Sequence, residues 1–141
     1  MEAIRKSETG ATTVEVAITI FPFMLLVLGV IQLCILCYTS FATQYSVNAS
    51  IRWGITKEIF VEGETRYDSI KNRLISQLNS FYLNTKNVKI NMCKGVSAKC
   101  KDKDAGTSGD FITLQGRVPV YSIIGREFYV LGKAVAKNEP F

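Results

Sequence analysis

A single carboxylate, Glu15, lies five residues after Gly10, at the start of a long apolar segment. From Val16 to Tyr38 the only strongly polar side chain is Gln32. A charge at the edge of hydrocarbon is costly, so a carboxylate in this position usually has a function. The alternative is that the side chain of Glu15 bends back from the helix end to the lipid headgroups.

The four cysteines fall into two pairs of different character. Cys93 and Cys100 flank the polar loop "KGVSAK". In the chain-entropy model a disulfide between them would raise the free energy of unfolding by about 2–3 kcal/mol. A zinc site is the alternative, but two thiols and no histidine fall short of four ligands. We therefore predict a Cys93–Cys100 disulfide. Cys34 and Cys37 lie three residues apart in the apolar segment, where a helix separates the sulfur atoms, so we interpret them as small hydrophobic residues.

The sequence lacks the residues and motifs that several kinds of catalytic and metal site require. The chain contains no histidine, which excludes histidine-dependent triads and imidazole bases. Gly106 and Gly109 do not form a phosphate-binding motif. Asp102, Asp104 and Asp110 resemble a calcium loop faintly, but the glutamate at the twelfth position is missing, so a solvated turn is the better interpretation. We predict a protein that is not an enzyme and has no cofactor or metal.

The apolar segment is long enough to cross a membrane. Its 23 residues would form roughly 35 Å of helix, against a hydrocarbon core of about 30 Å. A cleaved secretory signal is the alternative, because Ser40 to Ala42 read "SFA", a small-x-small pattern. Signal-peptide apolar regions are shorter, about 7–15 residues. We therefore predict a retained transmembrane helix over residues 11–38.

The distribution of basic residues predicts the orientation. Arg5 and Lys6 precede the span, and the first basic residue after it is Arg52. The positive-inside tendency then places the amino terminus in the cytoplasm, the span in the inner (cytoplasmic) membrane and the head in the periplasm or outside the cell. The net charge of +5 is spread without a basic stripe interleaved with aromatics, so we predict no nucleic-acid partner. A basic surface near an anionic membrane fits better.

Helical periodicity continues beyond the span. Apolar residues recur at three- and four-residue steps at Phe41, Tyr45, Ala49, Ile55 and Ile59, with Arg52 as the alternative to Ala49. Gly54 weakens this stretch, and a break near Trp53 is the alternative to a continuous helix.

A second, amphipathic helix is predicted within "TRYDSIKNRLISQLNSFYL". Thr65 and Asp68 supply a start that resembles a capping box. Its apolar face would consist of Tyr67, Ile70, Leu74, Leu78 and Phe81.

After Asn84 the apolar period changes to two residues, which predicts strands in "NVKINM", "DFITLQGRVPV" and "FYVLGKAVAK". Pro119 cannot donate to a strand ladder, so its end of the second strand should lie at a sheet edge or bulge. A three-stranded antiparallel meander packed on the second helix would bury one face of the sheet. The predicted fold class is α+β, a long helix followed by a small head.

The start of the chain resembles a type IV pilin-like signal. A short basic leader ending in glycine, "RKSETG", precedes "ATTVEVAITIFPFMLLVLGVIQL", with a glutamate at the fifth position after the glycine. The pattern is most similar to the TadE-like proteins, minor pseudopilins of tight-adherence pili. The resemblance extends over residues 5–38, and the tail "LGKAVAKNEPF" is also similar, whereas Val16 replaces the phenylalanine that is usual after the glutamate.

This resemblance implies a function in pilus assembly or adhesion. It implies that a prepilin peptidase removes residues 1–10 by cutting between Gly10 and Ala11, which leaves Ala11 as the new amino terminus. The transmembrane helix is then followed by an extracytoplasmic, pilin-like head over residues 39–141. It also implies that Glu15 meets the new amino terminus of a neighbouring pilin or pseudopilin subunit, and that the pilus assembly machinery is a partner. The alternative is a single-pass membrane protein whose head is a binding module unrelated to pili.

Overall fold

A computed structural model describes residues 2–56, 65–96, 106–107, 109–123 and 125–139, with the side chains of residues 2–12 outside the description. The order of elements is α1 (Glu2–Thr56), α2 (Arg66–Ser80), β1 (Lys89–Lys94), β2 (Phe111–Tyr121) and β3 (Glu127–Lys137). The three strands form an antiparallel sheet in the order β1-β2-β3. The predicted α+β fold with a three-stranded meander is confirmed. Residues 1–35 and 36–141 form two compact units.

Helix α1 is continuous, with Pro22 inside it, and passes through Gly54 to Thr56. The alternative of a break near Trp53 is therefore wrong. Gly54 is buried, and the side chain of Ile70 on α2 lies where a Cβ at this position would be. The glycine allows close packing of α2 on α1, which outweighs its low helix propensity.

The face of α1 that packs on the head differs in part from the predicted one. Ile55 packs against the core as expected, and Ile59 lies outside the described residues. Phe41 and Tyr45, which the periodicity placed on the apolar face, are 72% and 53% exposed. The buried residues of this helix recur at helical spacing and are mostly small or hydroxyl-bearing: Thr39, Ala42, Thr43, Ser46, Val47, Ser50 and Ile51. Small side chains bring the helix axis close to the sheet, so the large aromatic residues take the outer side.

The second helix follows its prediction closely. The hydroxyl of Thr65 accepts a hydrogen bond from the backbone N–H of Asp68 at 3.2 Å and donates to its carboxylate at 2.5 Å, which satisfies the helix start. Ile70, Leu74 and Leu78 are fully buried. They form the core together with Val47 and Ile51 of α1 and with Met92, Ile112, Leu114, Val118 and Ala134 of the sheet.

Strand β2 is the central strand, and its pairing explains Pro119. The ladder with β1 ends at Lys89↔Arg117, so the proline lies on a part of β2 that is paired with β3 alone. This confirms the predicted edge position. The expectation that only one face of the sheet is buried is wrong at Thr113 and Gln115, which are 0% and 3% exposed on the face away from the helices. The central position of β2 contributes to their burial, and the hydroxyl of Thr113 donates to the carbonyl of Gly95 at 2.6 Å.

Candidate functional site

The first part of α1 has an apolar surface that nothing in the described chain covers. Ile18, Ile20, Phe21 and Phe23 point in different directions around the helix and are 49–69% exposed. By length and composition the described part of α1 qualifies as a membrane-spanning helix. A helix that is apolar all round and unburied has its favourable environment in a bilayer.

Glu15 lies near the start of this apolar helix with its side chain exposed. It is the only charged residue between Glu8 and Arg52. Its backbone carbonyl accepts the hydroxyl of Thr19 at 2.9 Å, so that threonine is satisfied within the helix. The role of the Glu15 carboxylate in pairing with a partner outside the chain stays a prediction.

The predicted processing site lies in the same helix. The backbone of Gly10 and Ala11 belongs to α1, and their side-chain surroundings are outside the description. Cleavage between them stays a prediction.

Cys93 is 4% exposed and disulfide-bonded, whereas Cys34 and Cys37 are free and exposed on α1. Cys100 lies outside the described residues, so its pairing with Cys93 stays a prediction.

Among the described residues no group of acidic, histidine or cysteine side chains could hold a metal ion. Of the aspartates in the faint calcium pattern, Asp102 and Asp104 also lie outside the description.

A polar network at the end of α1 links this helix to the start of α2, to the segment after β3 and to the segment before β2. The guanidinium of Arg66 donates to the carbonyl of Gly54 at 3.2 and 2.8 Å and to the side-chain oxygen of Asn138 at 2.7 Å. Asn138 is 1% exposed, and its amide donates to the carbonyl of Thr107 at 2.9 Å. One buried asparagine after β3 therefore ties together α1, α2 and the segment that leads into β2.

The same network continues to Asp110. Its carboxylate accepts from the ammonium of Lys94 at 2.8 Å, from the hydroxyl of Thr107 at 2.6 Å and from the backbone N–H of Thr107 at 2.9 Å. The Lys94 bond, followed by the two Thr107 bonds, holds the pKa of Asp110 well below its usual value of 3.8. We call these six residues the distal network: Gly54, Arg66, Lys94, Thr107, Asp110 and Asn138. It is a structural feature that holds the end of the head together.

Sequence reasoning missed the contacts that attach α1 to β3. The amide of Gln44 donates to the carbonyl of Lys133 at 2.8 Å and accepts from its N–H at 3.2 Å. Gly116 and Gly132 are cross-strand partners beneath the helix. A Cβ at Gly132 would lie 3.1 Å from the carbonyl oxygen of Thr43. The two paired glycines on inward positions were the one sequence signal that could have revealed this close approach.

Comparison with known proteins gives a match to a protein family. Residues 10–52 match the family model described as TadE-like protein. The resemblance predicted from the leader and the apolar segment is thereby confirmed. No curated protein and no solved structure matches the chain significantly.

Proposed function

We propose that this chain is a minor pseudopilin of a tight-adherence pilus, anchored in the inner membrane by α1 and acting in pilus assembly or adhesion. A prepilin peptidase removes residues 1–10, and Glu15 then pairs with the amine of Ala11 on a neighbouring pilin or pseudopilin subunit. The head lies on the far side of the membrane from the peptidase.

The observation that carries this proposal is the extent of the family match. It begins at Gly10 and ends at Arg52, so it includes the proposed cleavage site, Glu15, the apolar span and the part of α1 that packs on the sheet. A family model that covered only an apolar helix would support a membrane anchor and no more. Here the leader glycine and the glutamate both lie within the matched residues.

The packing of α1 supports a retained helix over a removed signal. Cleavage after Ala42 would separate Thr39 and Ala42 from the head, and both are buried in it, at 4% and 0% exposure. A signal peptide contributes nothing to the mature core, whereas this segment does. The helix is therefore better understood as an anchor that is continuous with the head.

Co-expression with a prepilin peptidase tests the proposal. The parent chain should lose residues 1–10 only when the peptidase is present, as measured by intact mass of the purified protein. Gly10→Val should keep the leader, since a branched side chain at the cleavage position blocks access to the peptide bond. Gly29→Val, a matched change in the span where a Cβ meets nothing within 4 Å, should be processed normally. A parent chain that keeps its leader under these conditions favours the alternative binding module.

A reporter fused after Phe141 tests the orientation separately. An enzyme that is active only in the periplasm should be active there, and one that needs the cytoplasm should be inactive. The opposite pair of results would place the head in the cytoplasm and contradict the proposed topology.

A further inference from the structure

The head has two distinguishable ends along α1. The distal end contains Gly54 and the distal network. The proximal end is the end at which the chain enters the head, close to Tyr38. The hydroxyl of Tyr38 donates to the carbonyl of Phe81 at 3.1 Å, and the rings of Tyr45 and Phe81 meet edge-on with centroids 5.8 Å apart. Helix α2 therefore ends at the proximal end.

Tyr82 directly follows this helix end in an unusual conformation. Its φ of 56° lies in the left-handed region, and it is the only described non-glycine residue with a positive φ. The N–H of Leu83 bonds to the carbonyl of Leu78 at 3.2 Å and that of Tyr82 to Asn79 at 2.9 Å, which is a Schellman termination. Glycine usually occupies this position, so a tyrosine there costs free energy. The side chain is 97% exposed, and packing within the chain does not offset that cost.

The β2–β3 hairpin reaches the same end. Gly132 lies against Thr43, and Asn138 is joined to Gly54 through Arg66, so β3 runs from the proximal to the distal end. Glu127 lies five residues before Gly132, which places the hairpin turn up to about 16 Å beyond the level of Thr43. Tyr38 lies only about 7.5 Å from that level along the helix. The turn therefore lies at the proximal end of the head.

The side chains around this turn suit a membrane surface. Large apolar and aromatic residues there are 46–53% exposed: Tyr121, Ile123, Phe128 and Tyr129. Arg126 lies in the turn, and Lys86 follows Tyr82 in the loop that leads to β1. Of the four acidic residues that the structure describes in the head, Asp68, Asp110 and Glu139 lie at the distal end, and Glu127 alone is proximal. Aromatic rings together with basic residues are the composition of a membrane–water interface.

We propose that the proximal end of the head docks on the bilayer that α1 crosses, with Tyr82, Ile123 and Phe128 inserted among anionic headgroups and Lys86 and Arg126 bound to their phosphates. This rests on the membrane anchoring proposed above and is independent of peptidase processing. The bilayer supplies the contact for Tyr82 that the chain does not.

The single tryptophan of the chain provides a built-in control. Trp53 adjoins Gly54 at the distal end and packs against the core. The full chain is reconstituted, without pilus proteins, in anionic vesicles with brominated acyl chains, which quench only tryptophans that reach the lipid. Two variants carry the reporter at the proximal end, Tyr82→Trp and Ile123→Trp, each combined with Trp53→Phe. We expect both reporters to lose intensity and shift their emission to the blue, whereas Trp53 in the parent chain does neither.

Two further comparisons identify what the proximal end of the head binds. Adding Lys86→Glu and Arg126→Glu to the Tyr82→Trp variant should reduce quenching of its reporter in anionic vesicles, and zwitterionic vesicles should have a similar effect. Reporters that are quenched no more than Trp53 would overturn the proposal. So would a blue shift that disappears when each nanodisc holds one copy, because the surface would then contact a second chain. Flotation of the vesicles confirms insertion, so failure of docking is distinguishable from failure of the anchor.

Discussion

The side chain of Gln44 forms two hydrogen bonds with the backbone of Lys133, one to its carbonyl at 2.8 Å and one from its N–H at 3.2 Å. Strand β3 is an edge strand, and the outward N–H and C=O groups of such a strand invite pairing with another chain. An amide has a donor and an acceptor at suitable spacing, so Gln44 takes the place of a neighbouring strand at this residue. The contact both attaches α1 to the sheet and protects its edge.

Gln44→Ala should expose the Lys133 backbone and lower the free energy of unfolding by about 1–3 kcal/mol, since two bonds of about 0.5–1.5 kcal/mol are lost. Amide hydrogen exchange at Lys133 in detergent should become faster. Gln44→Glu keeps an acceptor for the N–H but has no donor for the Lys133 carbonyl, so its exchange rate should lie between those of the parent and Gln44→Ala. Equal exchange rates in the parent and Gln44→Ala would contradict the edge-protection role.

Two serines on the same face of α1 should respond oppositely to alanine. Ser46 and Ser50 are both fully buried. The hydroxyl of Ser50 donates to the side chain of Gln77 at 2.9 Å, whereas that of Ser46 has no hydrogen-bond partner in the described part of the chain. Ser50→Ala should cost about 1 kcal/mol. Ser46→Ala should be neutral or stabilising by up to about 1 kcal/mol, since alanine also favours the helix.

Urea unfolding followed by Trp53 fluorescence measures both variants under the same conditions. A cost for Ser46→Ala as large as that for Ser50→Ala would mean that the Ser46 hydroxyl is satisfied after all.

These residues also explain what the sequence could and could not predict. In α2 the buried positions are large and apolar, so helical periodicity identified Ile70, Leu74 and Leu78 correctly. In α1 many of the buried positions are serine, threonine and alanine, while Phe41 and Tyr45 are exposed. A search for the most apolar face selects the wrong side of such a helix, because close packing on a sheet depends on side-chain size as well as on hydrophobicity.

The residues of the candidate site could be predicted from the sequence, whereas the distal network could not. Gly10, Glu15 and the apolar run are local patterns, so their resemblance to the TadE-like proteins could be seen without knowing any long-range contact. The distal network was not predictable, because Arg66 and Asn138 are 72 residues apart and neither belongs to a motif. Long-range hydrogen bonds of this kind depend on the final packing of three elements, which periodicity does not contain.

Gly132→Ala should destabilise the head by about 1–3 kcal/mol, the usual cost of overpacking. The added methyl group would lie 2.9 Å from the Cγ2 of Thr43 and 3.1 Å from its carbonyl oxygen, and the backbone atom cannot easily move away. Thr43→Ser in the same chain removes the Cγ2 contact and should restore part of the loss. Gly29→Ala, with nothing within 4 Å, should leave the stability of the head unchanged. A harmless Gly132→Ala would show that α1 does not lie this close to β3.

The stability of the head should fall in acid because of Asp110. Its pKa is lower in the folded chain than its usual value of 3.8, through hydrogen bonds from Lys94 and Thr107. The unfolded chain therefore binds a proton that the folded chain does not, so this contribution is complete above the unfolded pKa and is lost as the pH falls towards the folded one. Unfolding measured between about pH 6 and pH 2 should show this decline below about pH 4.

Asp110→Asn should flatten that decline, since an amide does not titrate, and it should lower stability at neutral pH by removing the ion pair. Lys94→Met leaves the two Thr107 bonds in place and should give an intermediate dependence on pH. If Asp110→Asn follows the parent curve, another carboxylate is responsible for the loss of stability in acid.

Glu15→Gln tests the subunit pairing that the pseudopilin proposal requires. Insertion should be preserved, because removing a charge makes the helix more apolar. Processing should also be preserved, because the proposed cleavage depends on Gly10. Association with other pilus subunits should weaken, since the amine of Ala11 on a neighbouring chain would then face no counter-charge at the lipid edge. Stranding one charge of a buried pair costs on the order of 3–5 kcal/mol, and less where water reaches it.

Crosslinking and co-purification with pilus subunits, at matched amounts of protein in the membrane, measure this loss. Thr19→Val is the control, since it alters the same turn of α1 but leaves the carboxylate, and it should associate like the parent. Gly10→Val should retain its leader and associate poorly for a different reason, because no free amine forms at Ala11. Normal association of Glu15→Gln would mean that the carboxylate only reaches back to the headgroups. The pairing mechanism would then be wrong, while the family match and the membrane anchor would be unaffected.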